Sequence, residues 1–383
     1  MPVPLPGPDT VLLTPPDKAE ALTVARGVVA AAAPDGGLTD LQRVLIEAQF
    51  VALTGHAVDV TSLTPTTPEA FAADLARRNL AFRTRVVQVM LLAILILRPL
   101  PEDVAARVRA FAGELGVDDD MIEVARDFAD GALGLAAVDF DRAGYVADWS
   151  GSDATSLHTS RALSSAWAAS VDDPELAARW RALADLPAGT LGRGVSDLYA
   201  ARGFVAPGQP GSAPPLLAQH DWVHVLADYG TTVESELEVF GFIARSNDDM
   251  RAFSLLAMVI SLFETGYLAA GAGLFTADPG HLSGQAMAVR LSDAMRRGAL
   301  GSDRAAGTDS VDYLRMDWFG LADLPVEEAR RRFALRLKDP RALAAGSVGP
   351  WQPGGISPYQ LGAGKAMAAA EGRPYDAHGA TVG

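Results

Sequence analysis

Between Thr39 and about Gly131, apolar residues recur at helical spacing and predict a succession of helices. They are Leu41-Val44-Leu45 through Val51, Phe71 to Phe82, Val86 to Leu97, Glu102 to Leu115, and Met121 to Ala129. Leu38-Thr39-Asp40 opens the first and Pro101-Glu102-Asp103 another, while Pro99 and Pro101 break the middle, because proline cannot donate to the preceding turn. Farther on, Pro174-Glu175-Leu176 begins a short helix, Gln219 to Asp228 reads as a helix that Gly230 ends, and Ser283 to Arg297 as another. Two runs are strongly apolar. Val86 to Leu97, twelve residues between arginines, is well short of the roughly 20 needed to cross a bilayer and reads as a buried helix. Ala252 to Phe275 is interrupted by Ser254, Ser261, Glu264 and Thr265 and reads as a core helix, or as one wall of a lipid-accommodating cavity. A buried Glu264 would need a partner. Past Leu335 the apolar period fades, and 346–383, rich in Gly, Pro and Ala, reads as an extended, partly ordered arm.

These patterns, with a composition rich in Ala, Leu and Arg, predict an all-α protein of two helical domains with a Gly/Pro-rich C-terminal arm. The expected division is a Pro-rich segment 1–20, a helical domain 21–145, a connecting segment 146–185, a second helical domain 186–335 and the arm 336–383. At 383 residues and 49% hydrophobic content the chain is long enough for two cores. A net charge of -15 repels phosphate backbones and anionic bilayers, so nucleic acid is not an expected partner. The absence of cysteine removes disulfides, thiolate metal sites and cysteine nucleophiles. Met1 to Thr14 has no basic stretch followed by an apolar run, so no secretory signal is read there and cytoplasm is the expected location. Abundant Arg with little Lys fits a high-GC bacterium.

Chemistry concentrates in one place. His220, Asp221, His224 and Glu236 form H-D-x-x-H, eleven residues, then E. On a helix Asp221 lies about 100° and His224 about 40° around the axis from His220, so all three share one arc. Trp222, Val225, Leu226 and Tyr229 fall mostly on the other side, toward a core. A helical hairpin would return Glu236 to that arc, while Thr231 to Glu234 reads as a capping box. One HxxxH alone would be better read as two hydrogen-bonded helix residues. Four suitable residues at this spacing favour a divalent cation, with zinc, iron(II) or manganese all compatible with mixed N/O ligands. Asp221 would either ligate or orient an imidazole.

The remaining candidates have modest readings. Glu238 is expected to be solvated, Asp228 to sit at a helix C-terminus, His56 and His158 to be structural or exposed, and His281 to cap the helix that follows it. Arg296 and Arg297 are expected at a solvated helix end or against an acid headgroup. Asp118-Asp119-Asp120 reads as a helix cap with acidic first turn rather than a calcium site. Gly189 to Gly192 precedes no strand and is weak as a phosphate cradle.

Leu186-Pro187-Ala188-Gly189-Thr190-Leu191-Gly192, Asp197-Leu198-Tyr199, Arg202-Gly203-Phe204, the HDxxH with its Glu, Asp317-Trp318 and Leu324-Pro325-Val326-Glu327-Glu328 occur in that order. Over roughly Leu186 to Leu335 the chain thereby resembles the coenzyme Q biosynthesis protein 4 family. The resemblance implies a mostly helical protein with a metal, usually described as zinc, at His220, Asp221, His224 and Glu236. It also implies an isoprenoid-lipid or aromatic substrate, peripheral membrane association, and membership of a homo-oligomer or quinone-building complex. The implied activity is replacement of a ring carboxyl by hydroxyl, with a non-catalytic scaffold as the alternative. More weakly, the helices of 21–145 resemble the tellurite-resistance TerB-like domain. The acidic, metal-carrying loop of that family is replaced here by Leu97-Arg98-Pro99-Leu100-Pro101, so the first half reads as a docking or oligomerisation module.

Overall fold

The computed structural model describes residues 13, 16–97, 100–117, 125, 132–139, 141–145, 172–247, 250–265, 281–282, 284 and 286–383. The expected helix Met121 to Ala129, the loop at Trp149 to Asp153, His158, Asp118 to Asp120 and the end of Ala252 to Phe275 lie largely or wholly outside these residues, as does the side chain of Glu264. The fold is all-α. Among the described residues the only β features are the isolated bridges Thr190–Pro325, Asp303–Thr308 and Pro353–Thr381.

Helix α1 (Lys18–Ala32) starts at Asp17, whose carboxylate accepts from the Glu20 amide. Sequence reading missed it, because its buried face is built mainly of Ala and Val. A Cβ at Gly27 would lie 2.3 Å from the Phe71 ring, so glycine lets α3 approach. Helix α2 (Asp40–Thr54) carries the Thr39/Gln42 capping box and stops at left-handed Gly55. The expected helix over Phe71 to Phe82 is divided in two: α3 (Pro68–Asp74) ends before Asn79, which caps α4 (Leu80–Leu95) through the Phe82 amide. Buried on almost every side from Phe82 onward, α4 is a core helix, and α5 (Glu102–Glu114) packs beside it.

After the helical segment 132–139 come α6 (Pro174–Ala182), α7 (Leu191–Arg202), α8 (Pro215–Ala227), α9 (Val233–Arg245), α10 (Met250–Thr265) and α11 (Met287–Ala299). Short α12 (Val326–Arg332) and α13 (Pro340–Ala344) precede α14 (Pro358–Ala370). Helix α9 packs on α8, α10 and α11; α11 in turn packs on α2, and α10 on α4. The stretches expected as separate domains therefore share one apolar cluster running from Leu13 to Phe333. Polar ties cross between them: Arg296 Nη1 donates to the Ala52 carbonyl (2.9 Å), Ser261 Oγ to that of Ile96 (3.1 Å), and Arg245 to Gln49 Oε1. No helix among the described residues is long and apolar enough to cross a membrane.

The C-terminal residues differ most from expectation. Ser357 and Gln360 form a capping box, and α14 docks on α7 rather than extending as an arm. A Cβ at Gly203 would sit 2.6 Å from the Ala363 carbonyl carbon, and one at Gly364 2.1 Å from the Ala201 oxygen. Gly364, from the stretch whose glycines suggested an arm, and Gly203 at the end of α7 are what allow the two helix backbones to touch.

Candidate metal centre

Helix α8 has proline in its first turn, where the missing amide proton costs nothing. It ends at Ala227, one residue short of the expected Asp228, which itself forms the left-handed C-cap (φ 64°) in place of Gly230. Gly230 serves another purpose: a Cβ there would lie 2.9 Å from Gly355 Cα, where the C-terminal chain crosses. The expected capping box at Thr231 and Glu234 does not form. Arg202 Nε donates to Thr231 Oγ1 (2.6 Å), the Thr231 hydroxyl donates to Gln360 Oε1 (2.7 Å), and Glu234 pairs with His281 Nδ1 (3.0 Å). Thr232 is the N-cap of α9 instead.

The hairpin brings His220, Asp221, His224 and Glu236 together, each no more than 2% exposed. His220 Nδ1 lies 2.5 Å from the Leu217 carbonyl and His224 Nδ1 2.7 Å from that of Gly230. A carbonyl only accepts, so each Nδ1 carries a proton, and Nε2 is the nitrogen that offers a lone pair when the ring is neutral. Both Nε2 atoms face Glu236 Oε2, at 3.4 Å for His220 and 3.2 Å for His224. The single Tyr145 hydroxyl proton is shared between the other oxygen of Glu236 (3.0 Å) and the Thr231 carbonyl (2.9 Å).

Sequence reading missed three members of this cluster, Asp139, Arg142 and Tyr145. Arg142 grips Asp221 with two hydrogen bonds (2.7 and 3.1 Å) and donates through Nε to Asp139 Oδ1 (2.9 Å). Tyr199 donates to Asp221 Oδ2 (2.5 Å). The spacing 139-142-145, one helical turn per step, was the available signal; nothing in it indicates which helices those residues meet.

Four buried atoms of the cluster have no hydrogen-bond partner: His220 Nε2, His224 Nε2, Glu236 Oε2 and Asp139 Oδ2. Three carboxylates against the Arg142 guanidinium leave an excess of two negative charges when the rings are neutral. Burial and the neighbouring Glu236 charge push the Asp139 carboxyl above its ordinary pKa. For His220 burial works downward, but Asp221 and Asp139 outweigh it and raise the ring to about 9. Burial would raise Glu236, yet the two imidazoles hold it well below the usual carboxylate range. The pocket thus draws positive charge to the point where His220 Nε2, His224 Nε2 and Glu236 Oε2 converge. Metal bonds of about 2.0–2.1 Å in a tetrahedron set ligand atoms about 3.3–3.4 Å apart, the spacing observed between Glu236 and the rings. The donor set fits a small divalent cation.

Around this centre the chain is tightly built. Phe240 lies under the His220 ring (4.7 Å), and Trp222 on the far side of α8 stacks on Trp318 (5.7 Å, 6° between planes). The Leu191 and Gly192 amides donate to the Leu324 and Ala322 carbonyls, joining two stretches that were far apart in the sequence. Tyr145 also borders a cavity of about 400 Å³ with Val233, Glu234, Arg290, Ile356 and Pro358.

Several side-chain expectations are corrected. Glu238 is buried and receives a hydrogen bond from Arg290 Nη2 (2.6 Å) rather than facing water. Instead of capping a helix, His281 binds Glu234. Arg297 is buried, donating to the Arg336 and Ala227 carbonyls, and Arg296 bonds Ala52, so neither ends a solvated helix. His56 contacts the Pro16 carbonyl at 3.2 Å, a structural role as expected.

No family model, curated protein or solved structure matches this chain.

Proposed function

We propose that the chain holds one divalent cation, zinc foremost and iron or manganese otherwise, with His220, His224 and Glu236 as ligands. We further propose that it acts as the resembled quinone-biosynthesis family does, as a metal-dependent enzyme removing the carboxyl group of an aromatic or isoprenoid-linked acid. The observation that carries this reading is the convergence of two imidazole Nε2 atoms on one carboxylate oxygen, all three buried and without a hydrogen-bond partner. Bound there, the cation would supply Lewis-acid stabilisation of developing negative charge. Tyr145 stands between Glu236 and the 400 Å³ cavity, and burial keeps its phenol protonated, so it can hold Glu236 in place beside a ligand in that cavity. Decarboxylation alone is balanced by a proton delivered to the ring carbon; the hydroxylating form also needs a two-electron oxidant such as dioxygen. The setting would be cytoplasmic, or peripheral on a membrane, in a homo-oligomer or biosynthetic complex.

Elemental analysis tests the cation: the purified protein should carry about one equivalent, and His220→Ala should lose it. Prenylated and unprenylated hydroxybenzoates test the reaction. If fully metallated protein leaves both unchanged in an assay that works with a family member, the enzymatic reading fails.

A second reading, an isoprenoid-lipid-binding or scaffold protein whose ion only staples α8 to α9, is favoured by the near-complete burial of every proposed ligand. Glu236→Gln separates the two. A catalytic centre keeps its fold and loses turnover, whereas a structural one loses thermal stability in step with metal.

A further inference from the structure

We infer that Asp139 is the fourth protein ligand of the cation and that Asp221, although inside the HDxxH, is a positioning residue that does not coordinate it. This rests on the metal reading above and changes its ligand set. Distance alone admits either carboxylate: Asp221 Oδ1 is 3.5 Å and Asp139 Oδ1 3.7 Å from His220 Nε2, Asp221 grouping with both imidazoles and Asp139 with His220 and Glu236.

Hydrogen bonding separates them. Both oxygens of Asp221 are engaged, by the two parallel bonds from Arg142 and by Tyr199. Coordination by Asp221 would weaken several charge-assisted bonds in a buried place, where nothing replaces them. Asp139 is held at one oxygen only, by Arg142, which leaves Oδ2 buried and unpartnered in a residue that can share an ion with His220 and Glu236. A single guanidinium therefore occupies Asp221 fully and Asp139 by half.

Charge agrees with this division. Asp221 and Arg142 neutralise each other as a pair, while Asp139 and Glu236 together carry the two negative charges that match a divalent ion. The ligands are then two imidazoles and two carboxylates, one of them from the segment 132–139 that precedes the hairpin by many residues. Binding would tie the first half of the chain to the second.

The chain has no cysteine, so one introduced thiolate can be read without background. Apo protein is loaded with Co²⁺ in full-length Asp139→Cys and Asp221→Cys variants, and the near-ultraviolet thiolate-to-cobalt charge-transfer band is recorded. The band is expected in Asp139→Cys and not in Asp221→Cys. In parallel, Zn²⁺ affinity is measured against a chromophoric chelator. Asp139→Asn should weaken binding by about 100-fold or more, and Asp221→Asn by about tenfold, the scale of a lost outer partner. A band in Asp221→Cys, or wild-type Zn²⁺ affinity in Asp139→Asn, overturns the assignment. If the unaltered protein takes up neither ion, or His224→Ala does not weaken uptake, the metal reading itself has failed, a result distinct from a wrong fourth ligand.

Discussion

His220 and His224 show how a single residue's chemistry is decided by its less visible atom. Each Nδ1 is committed to a backbone carbonyl, which fixes the tautomer and leaves Nε2 as the only nitrogen that can accept or ligate. Lys338 shows the opposite situation, a charge without a role. Its ammonium has no hydrogen-bond partner, sits 4.7 Å from the Tyr229 ring, and burial lowers its pKa to about 8 despite Glu238 and Asp228 nearby. The folded chain then binds fewer protons than the unfolded chain between about pH 8 and the ordinary lysine value of 10.5, so stability rises with pH across that window. Below about pH 8 the cost is present in full. Lys338→Met should be more stable at pH 7 by about 1–2 kcal/mol, and the difference from the unaltered protein should shrink as pH rises through the window. Urea denaturation at stepped pH measures both; an unchanged midpoint at pH 7 would show that the ammonium is solvated.

At the scale of elements, the contact between α7 and α14 depends on positions without side chains. Gly362 and Gly364 make a matched pair within α14. A Cβ at Gly362 meets nothing within 4 Å, whereas one at Gly364 runs into the Ala201 backbone. Gly362→Ala should stabilise by about 1 kcal/mol through helix propensity. Gly364→Ala should destabilise by about 1–3 kcal/mol and make the C-terminal residues more open to protease. Thermal melts with limited proteolysis distinguish these outcomes; equal effects would mean that α14 is not seated as described. The same contact explains a misreading. Helical periodicity in α2, α4 and α5 is a property of neighbouring residues and was legible, but the Gly- and Ala-rich stretch looked like an arm because its partner helix lies far away in sequence. The capping box expected at Thr231 failed for a related reason: Arg202 and Gln360 take the threonine hydroxyl.

Across the whole molecule, the cluster joins residues separated by long stretches of chain; Arg142 and Asp221 alone are 79 positions apart. A cation bound only by the folded state stabilises it by mass action, about 2.7 kcal/mol at a free concentration of 100 times Kd. Stripping the ion with a chelator should therefore lower Tm, and restoring Zn²⁺ should raise it. His220→Ala should melt at one temperature in either condition. A Tm indifferent to chelator in protein shown to have carried metal would count against a site that forms only on folding.

What the sequence determined by itself was local: the all-α character, the positions of most helices, and the arc shared by His220, Asp221 and His224. Those follow from a repeat of 3.6 residues and from short-range turn chemistry. Only the tertiary structure decided which carboxylate is free. Asp139, Asp221, Glu236 and Glu238 are alike as residue types, yet Arg142 occupies one and half of another, Tyr145 and the imidazoles meet the third, and Arg290 holds one oxygen of the fourth, away from the rings. The cost of burying a charge depends on every group that replaces its water, and those groups come from elements distant in sequence.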